Sequence, residues 1–202
     1  MKLHLSKLLN IIIVIIVIFS GGYAYCTEEL EKTARTTDRL FTEMAIITGL
    51  GASNIPEGNY QPILLIGHLG IDLKRYFQKL ENHRGIFSFF LEPQFNTVVN
   101  PTRDFEFGIG IGVQYLYPLT DKLSTYVMGS IGPHYISVVT RREANGFIWS
   151  DFIGAGLYYY LTKDSAINAG YRFRHLSNAD FAMPNGGINT NFATIGYSVF
   201  FD

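Results

Sequence analysis

Charged side chains and cysteines are both scarce in this 202-residue sequence. Asp, Glu, Lys and Arg make up 16% of the residues, against about a quarter in soluble domains, and the formal net charge is -1. Without an excess of positive charge, the sequence gives no reason to expect nucleic acid as a partner. The single cysteine, Cys26, excludes an intrachain disulfide and the usual thiolate metal sites. We therefore predict no metal and no cofactor.

Long apolar runs are missing except near the N-terminus, where lysines precede an apolar stretch over residues 11–19. Small residues follow this stretch, and the whole arrangement is typical of a secretory signal peptide. The stretch is shorter than the about 20 apolar residues that a membrane-spanning helix needs. We predict a signal peptide over residues 1–24, with cleavage after Cys26 as the alternative, and a polar N-terminal segment over residues 25–40.

Aromatic residues, by contrast, are plentiful and tend to occupy alternate positions. From Phe105 to Tyr117 every second residue is apolar or aromatic, and Gly, Glu and Gln fill most of the places between. Such alternation favours β-strands, and its repetition behind an export signal favours a transmembrane barrel over a soluble sandwich. We predict an all-β, eight-stranded antiparallel transmembrane β-barrel of the bacterial outer membrane over residues 41–202. Its strands are predicted at about 41–52, 60–77, 85–98, 104–118, 123–140, 146–161, 166–180 and 188–201.

The seventh predicted strand carries a histidine and a serine in the row that should face lipid. His175 and Ser177 continue the outward row, whereas Arg172 and Arg174 fall on the lumen side. Because both termini of such a barrel are periplasmic, this strand runs outward. We therefore expect His175 and Ser177 near the extracellular side of the Gram-negative outer membrane.

The surroundings of these two residues resemble a known family. The residues that carry the resemblance are His175-Leu176-Ser177-Asn178-Ala179 and, a few positions later, Pro184-Asn185-Gly186-Gly187-Ile188-Asn189. Both segments are similar to the lipid A 3-O-deacylase (PagL) family, also called acyloxyacyl hydrolases. The resemblance implies an outer-membrane serine esterase that removes the ester-linked 3-position hydroxyacyl chain of lipid A, the lipid part of lipopolysaccharide in the outer leaflet.

Roles for individual residues follow from the resemblance. Ser177 would be the nucleophile and His175 the general base that takes its proton during attack. Asn178 and Asn185 would position the substrate or donate hydrogen bonds to the oxyanion of the tetrahedral intermediate. Family members with a full triad carry a glutamate where this sequence has Asn189. An asparagine at this position can orient the histidine but adds no charge.

A second candidate for the third triad role is Asp151 on the sixth predicted strand. Registers that preserve the alternation put Asp151 beside His175 or Ser177, and a carboxylate on the lipid face costs free energy that rises with depth. The alternative interpretation is a carboxylate at the headgroup level with no part in catalysis. Three alternatives therefore stay open for the group that orients His175: Asn189, Asp151, or neither of them.

Two functions stay open at this point. One is a carboxylic ester hydrolase acting on lipid A, and the other is a non-catalytic or impaired outer-membrane barrel that keeps the scaffold. The sequence also leaves a homodimer open. Arg103, Arg141 and Arg142 lie in or beside extracellular connections, where solvated loop charge is favoured over binding of lipid A phosphates.

Overall fold

Eight antiparallel strands close into a barrel in which each strand pairs with its neighbours in the sequence and β8 pairs with β1. The computed structural model describes residues 41–77, 80 and 82–201, so the predicted signal peptide (1–24) and polar segment (25–40) lie outside the described residues. The predicted all-β, eight-stranded antiparallel barrel is confirmed. The strands are β1 (Glu43–Ile55), β2 (Gly58–Asp72), β3 (Ile86–Asn100), β4 (Asp104–Pro118), β5 (Leu123–Ile136), β6 (Gly146–Thr162), β7 (Ser165–Ser177) and β8 (Ile188–Phe200).

Three strands end earlier than their predicted boundaries, for local reasons. Strand β2 ends at Asp72 instead of residue 77, because its carboxylate accepts the Lys74 N–H at 2.8 Å and begins a short 3-10 turn. Strand β5 ends at Ile136 instead of residue 140, since Ile136 pairs with Gly146, the first residue of β6. Within the described part of the chain, no helix is long and apolar enough to cross a membrane.

Strand β7 ends at Ser177 instead of residue 180, where the backbone turns sharply. Ala179 and Asp180 have φ angles of 52° and 69°, in the left-handed region that interrupts a strand. The Asn178 side chain supports this turn by accepting the Asp180 N–H at 3.0 Å. The residues after Ser177 are therefore free to fold back over the end of the barrel.

Alternation along the strands divides apolar outward residues from a packed lumen. In β4, Phe105, Phe107 and Val113 are exposed, while Glu106 between them is fully buried. An eight-stranded barrel has an interior just wide enough for side chains to fill it. Towards the end that carries the loops after β1, β3, β5 and β7, the lumen is filled by an apolar cluster of Ile55, Tyr60, Val98, Ile136, Val138, Ile148, Leu176 and Ile188.

Two ion pairs in the lumen come from the inward row of β7. Arg172 binds Glu92 through two hydrogen bonds of 2.7 and 3.0 Å, and Arg174 binds Glu106 through two of 2.6 and 3.1 Å. All four side chains are buried, so each charge depends on its partner. These pairs tie β7 to β3 and β4 across the lumen, and alternation then turns the intervening side chains of β7 outward.

Candidate functional site

Strands β6, β7 and β8 bring the predicted site residues side by side on the outer face. His175 is paired in register with Asp151 of β6 on one side and with Asn189 of β8 on the other, and Ser177 is paired with Trp149. His175, Ser177 and Asp151 are half-buried and Asn189 is exposed, in rows that alternate with buried lumen residues. The strand register alone therefore juxtaposes the serine, the histidine and both candidates for the third role.

The histidine is hydrogen-bonded to the amide, not to the carboxylate. His175 Nδ1 lies 2.6 Å from Asn189 Oδ1. Because an amide oxygen only accepts, Nδ1 carries the proton, and Nε2 of the neutral ring is left as the basic nitrogen. Asp151 makes no hydrogen bond or ion pair with His175 among the described residues, and its buried Oδ1 has no hydrogen-bond partner there.

The hydroxyl of Ser177 is bound within its own loop. Its Oγ donates to Asn185 Oδ1 at 3.3 Å and accepts the N–H of Ala179, also at 3.3 Å. In the part of the chain that the structure describes, Ser177 and His175 share no hydrogen bond. Both bonds are long, and such contacts commonly tighten or exchange when substrate is bound. The Ser177 proton is directed to Asn185 and not to His175.

The two asparagines predicted to position substrate have different surroundings. The Asn178 N–H is bound by Glu143, and its side-chain NH2 donates to the carbonyls of Ala182 and Pro184 at 2.9 and 3.3 Å. Asn178 is also buried, so its donors hold the β7–β8 loop (residues 178–187) together. Within the described residues, the side-chain NH2 of Asn185 makes one long hydrogen bond, of 3.4 Å to Asp180. Asn185 therefore has donor capacity to spare, and Asn178 has little.

Glu143, which had no predicted role, joins the two loops next to the site. This fully buried carboxylate lies in the β5–β6 loop (residues 137–145) and accepts the N–H of Asn178 at 2.9 Å and that of Gly187 at 2.7 Å. The two donors stand at either end of the β7–β8 loop. Hydrogen bonds from backbone N–H groups to a carboxylate are stronger than those between neutral groups. Glu143 thus fixes both ends of the loop that holds Asn185.

Gly187 brings the backbone of this loop against the imidazole. Its φ is +65°, and a Cβ built on it would lie 2.6 Å from Cε1 and 3.3 Å from Nε2 of His175. Arg142 supports the same segment by donating its Nε–H to the Gly187 carbonyl at 2.6 Å. Glycine is needed here for two reasons, the left-handed backbone and the close approach to the ring.

No group of His, Cys, Asp and Glu side chains in the described ranges could hold a metal ion. The chemistry available is that of a hydroxyl, an imidazole and amides arranged on the outward surface of a closed barrel. Fold and site together define a class of protein: a β-barrel with a candidate serine–histidine hydrolase site on its outer face.

Comparisons with known proteins identify the family within that class. The family model described as Lipid A 3-O-deacylase (PagL) matches residues 66–198, which is most of the barrel and includes the whole site. The chain belongs to this family, and the resemblance noted in the sequence is confirmed. A search of curated proteins found no significant match.

Solved structures support the fold independently. The crystal structure of the outer membrane enzyme PagL has 16% sequence identity to this chain and a TM-score of 0.54, and the match covers 79% of this chain and 99% of that one. The crystal structure of Neisserial surface protein A (NspA) has 13% identity and a TM-score of 0.56, with 79% and 96% covered. At such low identities the likeness concerns the barrel alone.

Proposed function

We propose that this protein is an outer-membrane serine esterase that hydrolyses the ester-linked 3-position hydroxyacyl chain of lipid A. The observation that carries the proposal is that Ser177 and His175 stand two residues apart in the outward row of β7, with Nδ1 of His175 held by Asn189 so that Nε2 is left as the base. This site opens on the membrane-facing surface of the barrel, so an ester of a membrane lipid reaches it without leaving the bilayer. Membership of the lipid A 3-O-deacylase family supports the choice of substrate.

The reaction begins when Ser177 exchanges its hydrogen bond to Asn185 for one to His175. Oγ attacks the ester carbonyl carbon while its proton passes to Nε2 of His175, and a tetrahedral oxyanion forms. Once Oγ no longer donates to Asn185, the Asn185 side chain can turn, and its NH2 donates to the oxyanion. Asn178 acts indirectly, by holding the loop that presents Asn185.

Collapse of the tetrahedral intermediate completes the first half of the reaction. The bond between the acyl carbon and the sugar oxygen breaks, and His175 returns its proton to that oxygen, so the sugar leaves as an alcohol. Water then attacks the acyl-Ser177 ester with His175 again acting as the base. The products are the free hydroxy fatty acid and the restored serine.

We assign the orienting role for His175 to Asn189 and a supporting electrostatic role to Asp151. Asn189 fixes the tautomer but contributes no charge, whereas Asp151 is the cross-strand neighbour of His175 and has a carboxylate oxygen without a partner among the described residues. A negative charge beside the ring stabilises the imidazolium that forms during catalysis. Asp151→Asn should lower kcat, and unchanged kcat would leave the third role to Asn189 alone.

The location proposed for the site is the extracellular side of the outer membrane. The loops after β5 and β7 that build it lie at the end of the barrel opposite the N-terminus of β1, and the termini of such barrels are periplasmic. Lipid A of the outer leaflet then borders the site directly. External addition of a protease that cleaves the β7–β8 loop in intact cells tests this orientation.

Lipid A from Gram-negative cells that produce the protein tests the proposed activity. Mass spectrometry should detect loss of one hydroxyacyl chain with the wild type, and no loss with Ser177→Ala at equal abundance in the outer membrane. The second candidate function, a non-catalytic barrel, is favoured by the hydrogen bond that directs Ser177 to Asn185 instead of His175. Identical lipid A from wild-type and Ser177→Ala cells would support that candidate.

A further inference from the structure

A polar pocket of about 380 Å³ opens on the outer face of the barrel next to the candidate catalytic histidine. It extends from β8 across β1 to β2, and Asn189, the partner of His175, forms one of its walls. Its lining consists of Ala52, Ser53, Asn54, Asn59, Gln61, Arg142, Asn189 and Asn191. One positive charge and no carboxylate therefore line the pocket.

Hydrogen-bond donors predominate on the walls of this pocket. Three of its amide side chains have their oxygen engaged by a donor of the protein, and the pairs are Asn189 with His175, Asn191 with Tyr171 and Gln61 with Asn100. None of the three NH2 groups has a partner among the described residues. Free NH2 groups are suited to bind the hydroxyl, carbonyl and phosphate oxygens of a ligand.

Arg142 adds a charged donor to the same walls. Its Nε–H is held by the Gly187 carbonyl at 2.6 Å, whereas its two terminal nitrogens form no hydrogen bond or ion pair within the described ranges. The neighbouring Arg141 differs, because it lies outside the pocket and pairs with Glu57 at 3.9 Å. A guanidinium anchored at Nε with both terminal NH2 groups free has the fork geometry that binds phosphate oxygens.

The pocket lies on the polar side of a boundary that runs through the site. On the β6 side of Ser177, Trp149 and Phe147 face outward with their rings 5.6 Å apart, and aromatic residues continue across β5 and β4. On the β8 side, the outward positions are Asn189 and Asn191. An ester that joins an acyl chain to a polar headgroup, placed at Ser177, therefore meets an apolar surface on one side and the pocket on the other.

We propose that this pocket binds the phosphorylated sugar headgroup of the lipid substrate, with Arg142 as the ligand of a phosphate and the amides as ligands of sugar oxygens. The inference rests on the proposed function, since it concerns how the same site orients lipid A. It also gives the Asn at position 189 a second use, because its Oδ1 holds His175 while its Nδ2 faces the headgroup. A glutamate at this position has no such donor.

Two lipids and two arginine variants test the inference. Purified wild type, Arg142→Gln and the control Arg141→Gln are assayed on bisphosphorylated lipid A and on the same lipid after chemical removal of its phosphates. Arg142→Gln should lower kcat/KM on the phosphorylated lipid on the order of tenfold or more, mainly through KM, as expected for a lost hydrogen bond to a charged group. On the phosphate-free lipid it should lower kcat/KM by a clearly smaller factor, the part due to the lost hydrogen bond to the Gly187 carbonyl. Arg141→Gln should match the wild type on both lipids.

Equal losses of kcat/KM on the two lipids in Arg142→Gln would overturn the proposal, because they would mean that Arg142 only supports Gly187. The absence of any loss on the phosphorylated lipid would overturn it as well. Binding separates this inference from the proposed activity, since Ser177→Ala can be titrated with vesicles containing either lipid whether or not the wild type turns over. Phosphate-dependent binding that Arg142→Gln removes supports the headgroup site. Complete displacement by an equal concentration of inorganic phosphate would overturn it in favour of a free-phosphate site.

Discussion

The carboxylate of Glu143 offers the sharpest test of how the site is held together. In Glu143→Gln, one of the two acceptors for the N–H groups of Asn178 and Gly187 becomes an NH2 group that faces a donor. A hydrogen bond to a charged group contributes about 1.5–3 kcal/mol, and a buried N–H left without a partner costs a similar amount. We expect the free energy of opening the β7–β8 loop to fall by about 2–4 kcal/mol, with the barrel itself intact.

Amide hydrogen exchange of the reconstituted protein measures this change directly. The amides of Asn178 and Gly187 should exchange about 30- to 1,000-fold faster in Glu143→Gln, while amides in the middle of β7 and β8 keep their protection. The lipid A deacylation rate should fall with it, because the loop carries Asn185. Glu57→Gln is the matched control, since in the described part of the chain the Glu57 carboxylate bonds Arg141 alone and neither end of the β7–β8 loop. Unchanged protection of the two amides in Glu143→Gln would refute the role given to this residue.

Three further substitutions probe the ring, its partner and the lumen. Gly187→Ala puts a methyl group against His175 at a φ of +65° and should lower kcat by about tenfold or more with the melting temperature nearly unchanged; a normal kcat would contradict the close approach. Asn189→Glu replaces a neutral acceptor with a charged one and should raise kcat by up to about tenfold. It should also raise KM, because the donor assigned to the headgroup is lost, and a lower kcat would contradict the orienting role. Arg174→Met removes the arginine from the buried Glu106 carboxylate, which keeps its contacts with Tyr60, Asn96 and His134. The free energy of unfolding in urea should fall by up to about 3–5 kcal/mol; adding Glu106→Gln should restore part of it, and no restoration would argue against the ion pair.

The order of the strands and the outward direction of the site were predictable, because both follow from period-two alternation. The row from Phe105 to Tyr117 indicated one face of β4, and the same parity placed His175 and Ser177 outside and Arg174 inside. Strand ends were less predictable, since they depend on local contacts. The left-handed backbone of Ala179 and Asp180, neither of which is glycine, leaves no mark in the sequence.

The candidate site was also predictable only in part. Parity placed Asp151 beside His175 or Ser177, and the family resemblance pointed to Asn189. Only side-chain geometry directs Nδ1 to Asn189 and leaves Asp151 unbonded to the ring. Glu143 had no signal at all, because its partners Asn178 and Gly187 are 35 and 44 residues away in the chain and lie in a different loop. Contacts between irregular loops follow neither of the periodicities that reveal strands and helices.

The proposed chemistry explains why a serine and a histidine stand in the outward row of β7, where the rest of the strand presents mostly apolar and aromatic side chains. The lumen is filled by buried side chains and by the Arg172 and Arg174 ion pairs, so it offers no passage to a lipid with several acyl chains. The outer surface is the part of such a barrel that lipid touches. A reacting ester therefore has to be met on that surface, at the level where acyl chains join the headgroup.

The most direct test of the account is the release of hydroxy fatty acid from purified lipid A by the purified, refolded protein. The wild type should release one hydroxy fatty acid per lipid A, and both Ser177→Ala and His175→Ala, refolded to the same barrel, should release none above background. Release by Ser177→Ala at the wild-type rate would show that another group carries the chemistry. No release by the wild type from lipid A that carries its 3-position chain would contradict the proposed activity itself.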